Sequence, residues 1–358
     1  MPTSASPPVT TAAAARTVNY VEIPARYRKE LCLHTAVPET PAVAVQLTGR
    51  EPLFLVMNSR SGKQDSEATR QAIRTACAEA GRRCELLVVD RGADLNSAAQ
   101  KAVTLAREQG GIVVAVGGDG TLNAVCQAVV GQGVPFGVLP QGTFNYFGRA
   151  HGISQDTGQA MHDLLNARLE HISLGQINGR YFLVNASLGL YPQLLEDREE
   201  YKQRYGRSRW IALVAALVTL ARAHRQLDIT LEHGGRHERL RTPTLVVCNN
   251  ALQLKHIGVD PALPDNRDHL VALASRPVGT GALYLLLLQG LLSRMGEAEN
   301  VISFGFENLT VRPNARPRMV KVAVDGEILR MRTPLTFRIA PHVLPLLIPR
   351  SAPTPEHP

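Results

Sequence analysis

Aromatic side chains and cysteines are scarce in this sequence. Only 5% of the 358 residues are Phe, Trp or Tyr. No helix-turn-helix, zinc-finger or RNA-binding signature accompanies them, which argues against nucleic-acid recognition by base stacking. The five cysteines are scattered and form no CxxC pair, a usage typical of a reduced, cytosolic compartment.

Long apolar runs and two familiar phosphate-binding signatures are also missing. The longest uncharged stretch of the C-terminal half, residues 277–293, is shorter than the roughly 20 residues of a membrane-spanning helix. The absence of GxxxxGK[ST] excludes a P-loop, and the absence of GxGxxG disfavours a dinucleotide fold for hydride transfer. The net charge of +8 favours anionic partners such as nucleotides or acidic lipid headgroups, without choosing among them.

Short apolar runs alternate with segments of helical spacing between residues 52 and 149. The predicted strands are Leu53–Met57, Leu86–Val89, Ile112–Val116 and Phe136–Leu139, and the predicted helices include Ser66–Ala80 and Asn96–Gln109. Glycines at 81 and 110 follow the two helices, as expected for C-caps. This alternation predicts a parallel sheet with helices packed on it.

Strand-like segments and hairpin turns dominate after residue 152. The predicted strands are His171–Ile177, Tyr181–Ala186, Leu227–Glu232, Thr244–Cys248, Leu270–Ala274, Asn308–Arg312, Val320–Val324, Leu329–Arg332 and Pro334–Ile339, interrupted by helices at Trp210–Arg225 and Thr280–Arg294. Turns such as Asn178-Gly179 and Asp325-Gly326 favour antiparallel pairing.

These patterns divide the chain into four parts. We predict a variable, partly disordered extension at residues 1–50, an α/β nucleotide-binding domain at 51–152, a β-rich, sandwich-like substrate domain at 153–349, and a loose tail at 350–358.

Two polar, glycine-containing turns follow neighbouring predicted strands. Gly117–Thr121 follows Ile112–Val116, and Pro140–Asn145 follows Phe136–Leu139. Parallel strands bring such turns to the same edge of a sheet, where α/β folds bind ligands. Glycines let backbone N–H groups approach phosphate oxygens, and a helix N-terminus adds a favourable dipole. The pattern predicts a nucleotide phosphate site, although a structural glycine-rich turn is the simpler alternative.

The residues of these turns resemble known signatures. Gly117–Asn123 resembles the first signature of the diacylglycerol kinase catalytic domain family, which includes sphingosine kinases and soluble bacterial lipid kinases. Pro140–Arg149 is similar to its second signature, P-x-G-T-x-N-x-F-A-R, with Gly148 in place of Ala. Asn58–Gly62 resembles its N-P-x-S-G turn, with Ser59 in place of Pro.

Two later motifs extend the resemblance to about residues 50–348. Asn185–Gly189 is similar to the start of the family's second domain, and Val324–Glu327 resembles its D-G-E motif. The family fold has an α/β domain joined to a β-sandwich domain, with ATP in the cleft. The resemblance implies a nucleotide site formed by Asn58, Ser59, Arg60, Ser61, Gly62, Gly117, Gly118, Asp119, Gly120, Thr121, Leu122, Asn123, Thr143 and Asn145.

The catalytic carboxylate and the metal ligands are also expectations from the resemblance. Phosphoryl transfer to a hydroxyl needs Mg²⁺ and a carboxylate that accepts the hydroxyl proton. The D-G-E motif favours Glu327 as that acceptor, supported by Asp325, with Asp119 as an alternative. Bacterial members carry a Mg²⁺ site that corresponds here to Asp268 and the carbonyls of Asp265 and Leu270; His269 replaces the usual glycine.

The resemblance implies an ATP- and Mg²⁺-dependent lipid kinase that phosphorylates a diacylglycerol-like or sphingoid hydroxyl. We expect it in the cytoplasm, with a peripheral position at the inner membrane surface left open. The expected partners are ATP and a lipid at a membrane surface, without nucleic acid, and a homodimer is left open. Two alternatives remain: a NAD kinase-like enzyme, and a non-catalytic lipid- or nucleotide-binding regulator on the same fold.

Overall fold

The computed structural model describes residues 47–59, 66–196, 226–249, 269–276, 301–315 and 318–352. Several predictions lie outside these ranges. They concern the N-terminal extension, the two helices of the β-rich part, and the site residues Arg60, Ser61, Gly62, Asp265 and Asp268.

The first part of the chain is the predicted α/β unit. Its elements are β1 (Leu53–Asn58), α1 (Ser66–Glu79), β2 (Cys84–Val89), α2 (Leu95–Gln109), β3 (Ile112–Gly117), α3 (Asp119–Val129) and β4 (Phe136–Pro140). The strands pair in parallel in the order β2-β1-β3-β4. Gly110 ends α2 in the left-handed conformation, with φ of 62°, as a C-cap glycine does.

The second part is rich in strands. It contains α4 (Tyr146–Ala150), α5 (Thr157–Leu165), β5 (Arg168–Ile177), β6 (Arg180–Phe182), β7 (Asn185–Gly189), β8 (Leu227–His233), β9 (Arg236–Thr242), β10 (Thr244–Cys248), β11 (Leu270–Ser275), β12 (Val301–Phe306), β13 (Asn308–Pro313), β14 (Met319–Val324), β15 (Glu327–Arg332) and β16 (Leu335–Ile348). Apart from the β16–β4 contact, their pairings are antiparallel.

Two sheets organise the described residues. The larger sheet runs β2-β1-β3-β4-β16-β13-β8-β9, with β5 and β6 attached to β16, and the smaller runs β12-β11-β10-β7-β14-β15. Side chains from both sheets fill one apolar core in the β-rich part, for example Phe337 from the larger sheet and Val322 from the smaller. The predicted fold class, an α/β part followed by a β-sandwich-like part, is therefore confirmed.

Strand β16 is longer than the predicted Pro334–Ile339. Prolines at 341 and 345 disfavour a strand by sequence, because proline lacks the N–H that a ladder needs. The chain accommodates them with an irregularity between Ala340 and Leu344, where the register with β5 shifts. Beyond that point β16 lies beside β4, and Leu346 faces Phe136.

The predicted strand Tyr181–Ala186 is two strands that lie in different sheets. β6 ends at Phe182 and β7 begins at Asn185. Between them, the backbone N–H groups of Leu183 and Val184 donate to the carboxylate of Asp325. Since these donors bind a side chain rather than a neighbouring strand, the pairing is interrupted and the chain passes from one sheet to the other.

Two strands had no sequence prediction. β9 is almost entirely polar and exposed, and it forms because the Gly234-Gly235 turn pairs it with β8. β12 mixes apolar residues with serine and glycine, so its composition does not predict a strand. Hydrogen bonds to β11 stabilise it as one. Neighbouring strands therefore decided both elements.

The core of the α/β part continues into later segments. Leu174 of β5 and Leu344 and Leu346 of β16 are fully buried in the same apolar cluster as the strands β1, β3 and β4. The boundary between residues 152 and 153 stays a prediction. A search of the described residues finds no helix with the length and apolar character needed to cross a membrane.

Candidate active site

The two glycine turns touch each other at one edge of the parallel sheet. The N–H of Gln141 donates to the carbonyl of Gly117 at 2.8 Å. A Cβ on Gly142 would lie 2.9 Å from Cα of Gly118, too close for any side chain. The turns after β3 and β4 therefore pack backbone to backbone, and glycine is required at their contact.

The N-terminus of α3 is open to a ligand. Gly118 is its N-cap residue and supplies no side-chain hydrogen bond. The N–H groups of Asp119 and Gly120 begin the helix, so they have no intrahelical acceptor. A Cβ on Gly120 would have no atom within 4 Å. Free N–H groups, the helix dipole and open space fit a phosphate group.

Asn145 holds the second turn in shape. Its Oδ1 accepts from the N–H of Gly142 at 2.8 Å, and its Nδ2 donates to the Gly142 carbonyl at 2.9 Å. Nδ2 also donates to Gln155 at 2.5 Å. The residue is buried and its φ is +49°, a conformation that asparagine tolerates better than most residues. Thr143, in the same turn, is exposed.

Asp119 connects the first turn to the second. Its Oδ1 accepts from the N–H of Phe147, at the start of α4, at 3.4 Å. Burial raises the pKa of the Asp119 carboxyl above its usual value, and hydrogen bonds from the backbone at Phe147, Tyr146 and Asn145 oppose that rise. The carboxylate thus accepts hydrogen bonds from N–H groups at the start of α4 and links the two glycine turns.

The end of β1 adds a third segment to this edge. Nδ2 of Asn58 donates to Oγ1 of Thr121 at 3.3 Å. The N–H of Ser59 donates to the Val89 carbonyl at 3.0 Å, and its hydroxyl donates to Asp90 at 2.6 Å. Proline, which the family motif has at the position of Ser59, could not make the N–H bond. The departure from the motif therefore has a structural counterpart in the link to β2.

The side chains of two residues that were predicted to bind the nucleotide are buried inside the protein. Leu122 is fully buried in the core, and Thr121 is 4% exposed. Their N–H groups donate to the Gly118 carbonyl at 3.0 and 2.8 Å. Both residues therefore shape the turn from within.

Asp325 lies where α3 meets the β-rich part. Its carboxylate accepts four N–H donors, from Leu183 (2.7 Å), Val184 (2.9 Å), Asn185 (2.9 Å) and the side chain of Asn123 (2.6 Å). Burial raises the pKa of this carboxyl to about 6, against the opposing effect of these donors. The contacts join the first signature to the β14–β15 turn.

A second contact strengthens that junction. Nε2 of Gln127, one turn after Asn123 on α3, donates to the Tyr181 carbonyl at 2.7 Å. Oε1 of the same side chain accepts from the N–H of Tyr181 at 3.3 Å. The amide of Gln127 therefore pairs with both backbone groups of one residue in β6.

Glu327 is two residues from Asp325 and has a different environment. It begins β15, and its side chain is 58% exposed. Its Oε2 accepts from Arg180 at 2.6 Å. The carboxylate is open to solvent and held by one cation, so a reactant hydroxyl can approach it.

Three contact residues escaped the sequence analysis. Arg180, Gln127 and Gln155 hold Glu327, Tyr181 and Asn145 respectively. For Arg180 the only local signal was its position after the Asn178-Gly179 turn. Gln127 and Gln155 carry no signal in the sequence, because their partners are set by packing.

The metal prediction is only partly covered by the described residues. Among them, no group of three or more His, Cys, Asp or Glu side chains could hold a metal ion. Leu270 begins β11 with a fully buried side chain. The other two expected Mg²⁺ ligands, Asp265 and Asp268, lie outside the described residues. Asp119 is a described carboxylate at the first glycine turn, and oxygen ligands of this kind suit Mg²⁺.

The parallel sheet with its packed helices and the adjoining antiparallel strands define an α/β protein with a β-rich second part. Residues 52–177 match the family model described as the diacylglycerol kinase catalytic domain. The chain's resemblance to that family is therefore confirmed over this range.

Relatives and solved structures agree with the family match. A diacylglycerol kinase of Staphylococcus haemolyticus is 29% identical over 142 residues, 39% of this chain and 42% of that protein. A diacylglycerol kinase of Staphylococcus aureus is 28% identical over 147 residues, 40% of this chain and 46% of that protein. This chain thus spans less than half the length of either relative.

The crystal structure of a diacylglycerol kinase from Bacillus anthracis shares the fold. It superposes with a TM-score of 0.61 at 14% identity and covers 85% of this chain and 98% of that chain. The likeness therefore extends beyond the range of the family model to the β-rich part.

Proposed function

We propose that this protein is an ATP- and Mg²⁺-dependent lipid kinase that transfers the γ-phosphoryl group to a hydroxyl of a diacylglycerol-like or sphingoid lipid. The observation that carries the proposal is the junction at α3. The helix whose N-terminus fits a phosphate group also binds, through Asn123, the turn that bears Glu327. Helix α3 therefore contacts both the proposed site of the phosphoryl donor and the turn that carries the proposed proton acceptor, Glu327.

In this proposal the two glycine turns bind ATP. The N–H groups of Asp119 and Gly120 donate to phosphate oxygens, and the exposed hydroxyl of Thr143 lies in the second turn beside them. Asn145 braces that second turn, while Asn58 and Ser59, with Arg60, Ser61 and Gly62, line the nucleotide at the end of β1. The backbone approach of Gly118 to Gly142 supports a compact phosphate cradle.

Glu327 is proposed as the acceptor of the lipid hydroxyl proton. It is exposed, and it follows a turn anchored by the four hydrogen bonds of Asp325. Asp325 has its lone pairs engaged by N–H donors, so its proposed part is to hold the turn. Arg180 holds the Glu327 carboxylate in place through one ion pair of 2.6 Å.

Mg²⁺ would supply charge neutralisation of the transferring phosphate when bound. Asp119 is proposed to act on it directly or through water, beside its contact with Phe147. Asp268, with the carbonyls of Asp265 and Leu270, is proposed as a second Mg²⁺ site. The lipid would be reached at a membrane surface.

The decisive experiment is incubation of the protein with radiolabelled ATP, Mg²⁺ and a total lipid extract, followed by identification of the labelled product. We expect a phosphorylated lipid from the wild-type protein and none from Asp119→Ala or Glu327→Gln. Because Asp119 also contacts α4, Asp119→Asn serves as the milder variant that keeps an acceptor oxygen. Full activity in both Asp119→Ala and Glu327→Gln would refute the assignment of the site.

Parallel reactions separate the alternatives. Labelling of NAD instead of lipid would favour the NAD kinase-like enzyme. Binding of Mg-ATP without turnover of any lipid would favour the non-catalytic regulator.

A further inference from the structure

We propose that a cavity at one end of the β-rich part binds a phosphate group, as a site separate from the glycine turns. The cavity has a volume of about 890 Å³, and its lining includes Arg312, Arg318 and Arg332. That volume is in the range of ligand pockets in proteins. The proposal does not depend on the kinase activity, since no lining residue belongs to the proposed active site.

The cavity opens where the two sheets come together. Arg312 is the residue before the last of β13 in the larger sheet, while Arg318 precedes β14 and Arg332 ends β15 in the smaller. Met319 and Arg332 are register partners, and the N–H of Thr333 donates to the Arg318 carbonyl at 3.2 Å. The hairpin thus brings Arg318 and Arg332 to the same end of its two strands, and β13 adds Arg312 from the other sheet.

The positive charge of the cavity is incompletely balanced. The described part of its lining contains no Asp or Glu. Glu232 pairs with Arg312, but among the described residues no carboxylate pairs with Arg318 or Arg332. Like charges at the same end of a hairpin repel each other. A bound anion would offset them, and arginine binds phosphate with paired N–H donors.

The other groups in the lining restrict the chemical class of ligand that the cavity can bind. The hydroxyl of Thr230 donates to Oδ1 of Asn314 at 2.8 Å, so the arginines are the donors available to an oxyanion. Met319 is 46% exposed, which makes it one of the few large apolar side chains open to solvent among the described residues. Cations and an exposed apolar side chain together suit a phosphate group that carries an apolar substituent. Free phosphate and a phospholipid headgroup share the required chemistry.

The test compares Arg318→Ala/Arg332→Ala with wild type and with Arg330→Ala. Arg330 is exposed on the same strand and is not part of the lining, so Arg330→Ala removes a charge but not the site. Calorimetric titration with inorganic phosphate measures binding of the free anion. Sedimentation with phosphatidylcholine vesicles, with and without phosphatidic acid, measures binding of the lipid headgroup.

We expect the double variant to weaken binding of at least one of the two probes by about tenfold or more, and Arg330→Ala to change it by less than about twofold. The glycine turns are identical in all three proteins, so phosphate bound there cannot produce a difference. Thermal melting checks the fold, which exposed arginines should not affect. Loss of phosphate titration identifies a soluble ligand, and loss confined to the phosphatidic acid vesicles identifies a lipid.

Met319→Ala distinguishes the two sources further. For a lipid ligand it weakens vesicle binding and leaves inorganic phosphate unaffected. Equal binding of both probes by wild type and Arg318→Ala/Arg332→Ala, or an equal loss in Arg330→Ala, would overturn the proposal.

Discussion

Asp325 and Glu327 are two residues apart, yet their surroundings suit them to different roles. Asp325 is surrounded by N–H donors, and Glu327 faces solvent beside Arg180. A group that must accept a proton from a reactant has to be reachable and must have a lone pair to offer. Glu327 meets both conditions, whereas Asp325 anchors the turn.

Glu327→Gln should therefore remove activity without loss of stability. We expect lipid phosphorylation to fall by at least about 100-fold, while an exposed ion pair contributes only about 0–1 kcal/mol to stability. Arg180→Ala is the matched control, because it breaks the same ion pair and leaves the carboxylate. Initial rates and melting temperatures decide the outcome. If Glu327→Gln and Arg180→Ala lose activity equally, the Arg180–Glu327 ion pair is what activity requires, and the carboxylate of Glu327 is not shown to accept the proton.

The pKa of Asp325 makes stability depend on pH in a defined direction. Burial raises this pKa from 3.8 to about 6 in the folded protein, so the folded state binds the proton more tightly than the unfolded state. The associated stability is present below about pH 4 and is lost as the pH rises through 6, by at most about 3 kcal/mol.

The measurement is urea unfolding of wild type and Asp325→Asn between pH 4 and 7. The asparagine does not titrate, so the wild-type free energy of unfolding should decline relative to the variant as pH rises. A relative increase would show that the four N–H donors outweigh burial and hold the pKa low.

The glycines of the two turns should respond differently to alanine. On Gly142 a Cβ would lie 2.6 Å from Oδ1 of Asn145, so Gly142→Ala should destabilise the fold by about 1–3 kcal/mol. On Gly120 a Cβ meets open space and points toward the helix N-terminus. Gly120→Ala should melt like wild type but weaken ATP binding by about tenfold or more. If Gly120→Ala binds ATP as tightly as wild type does, the phosphate site does not lie at the N-terminus of α3.

At the scale of elements, β16 is the strand that both parts of the molecule share. It pairs with β13 and β5 and reaches β4 through Leu346, which is fully buried. Leu346→Ala should lower the free energy of unfolding by about 2–5 kcal/mol. Thr336→Ala, at an exposed position of the same strand, is the control and should change it by less than about 0.5 kcal/mol. Similar values for both would mean that this end of β16 adds little to the core.

Helix α3 has an equivalent role on the side of the active site. Its first turn faces the proposed phosphate site, and Asn123 and Gln127 hold the β-rich part. A shift of this helix would therefore move both glycine turns and the Glu327 turn together. In the proposed kinase, that coupling would keep the phosphate site and Glu327 in one fixed arrangement.

For the molecule as a whole, the shared core implies that the α/β part is incomplete alone. Its apolar cluster includes Leu174, Leu344 and Leu346, which a fragment of residues 47–152 would lack. We expect that fragment to bind a hydrophobic dye and to melt without a cooperative transition, whereas residues 47–352 melt cooperatively. Circular dichroism and dye fluorescence test this. Cooperative melting of the short fragment would show that the predicted boundary is also a folding boundary.

Local pattern was a good guide to most of the fold. The elements β1 to β4 lie within about two residues of their predicted bounds, because buried parallel strands and amphipathic helices have distinct apolar periods. Pattern failed for β9, which has almost no apolar side chains, and at Tyr181–Ala186, where a distant carboxylate breaks the strand. The decisive partner of β9 is the adjacent strand β8, whereas the partner that interrupts Tyr181–Ala186 lies about 140 residues further along the chain.

By itself, the sequence determined that two glycine turns follow adjacent strands of a parallel sheet, and that their residues resemble a lipid kinase family. Those features are local, since turns and strand periods depend on neighbouring residues. Only the tertiary structure shows that the carboxylate of Asp325 is surrounded by N–H donors and that the carboxylate of Glu327 is exposed to solvent. The bond from Asn123 to Asp325 joins residues 202 positions apart, and only the packing of α3 against the β-rich part brings them within 2.6 Å.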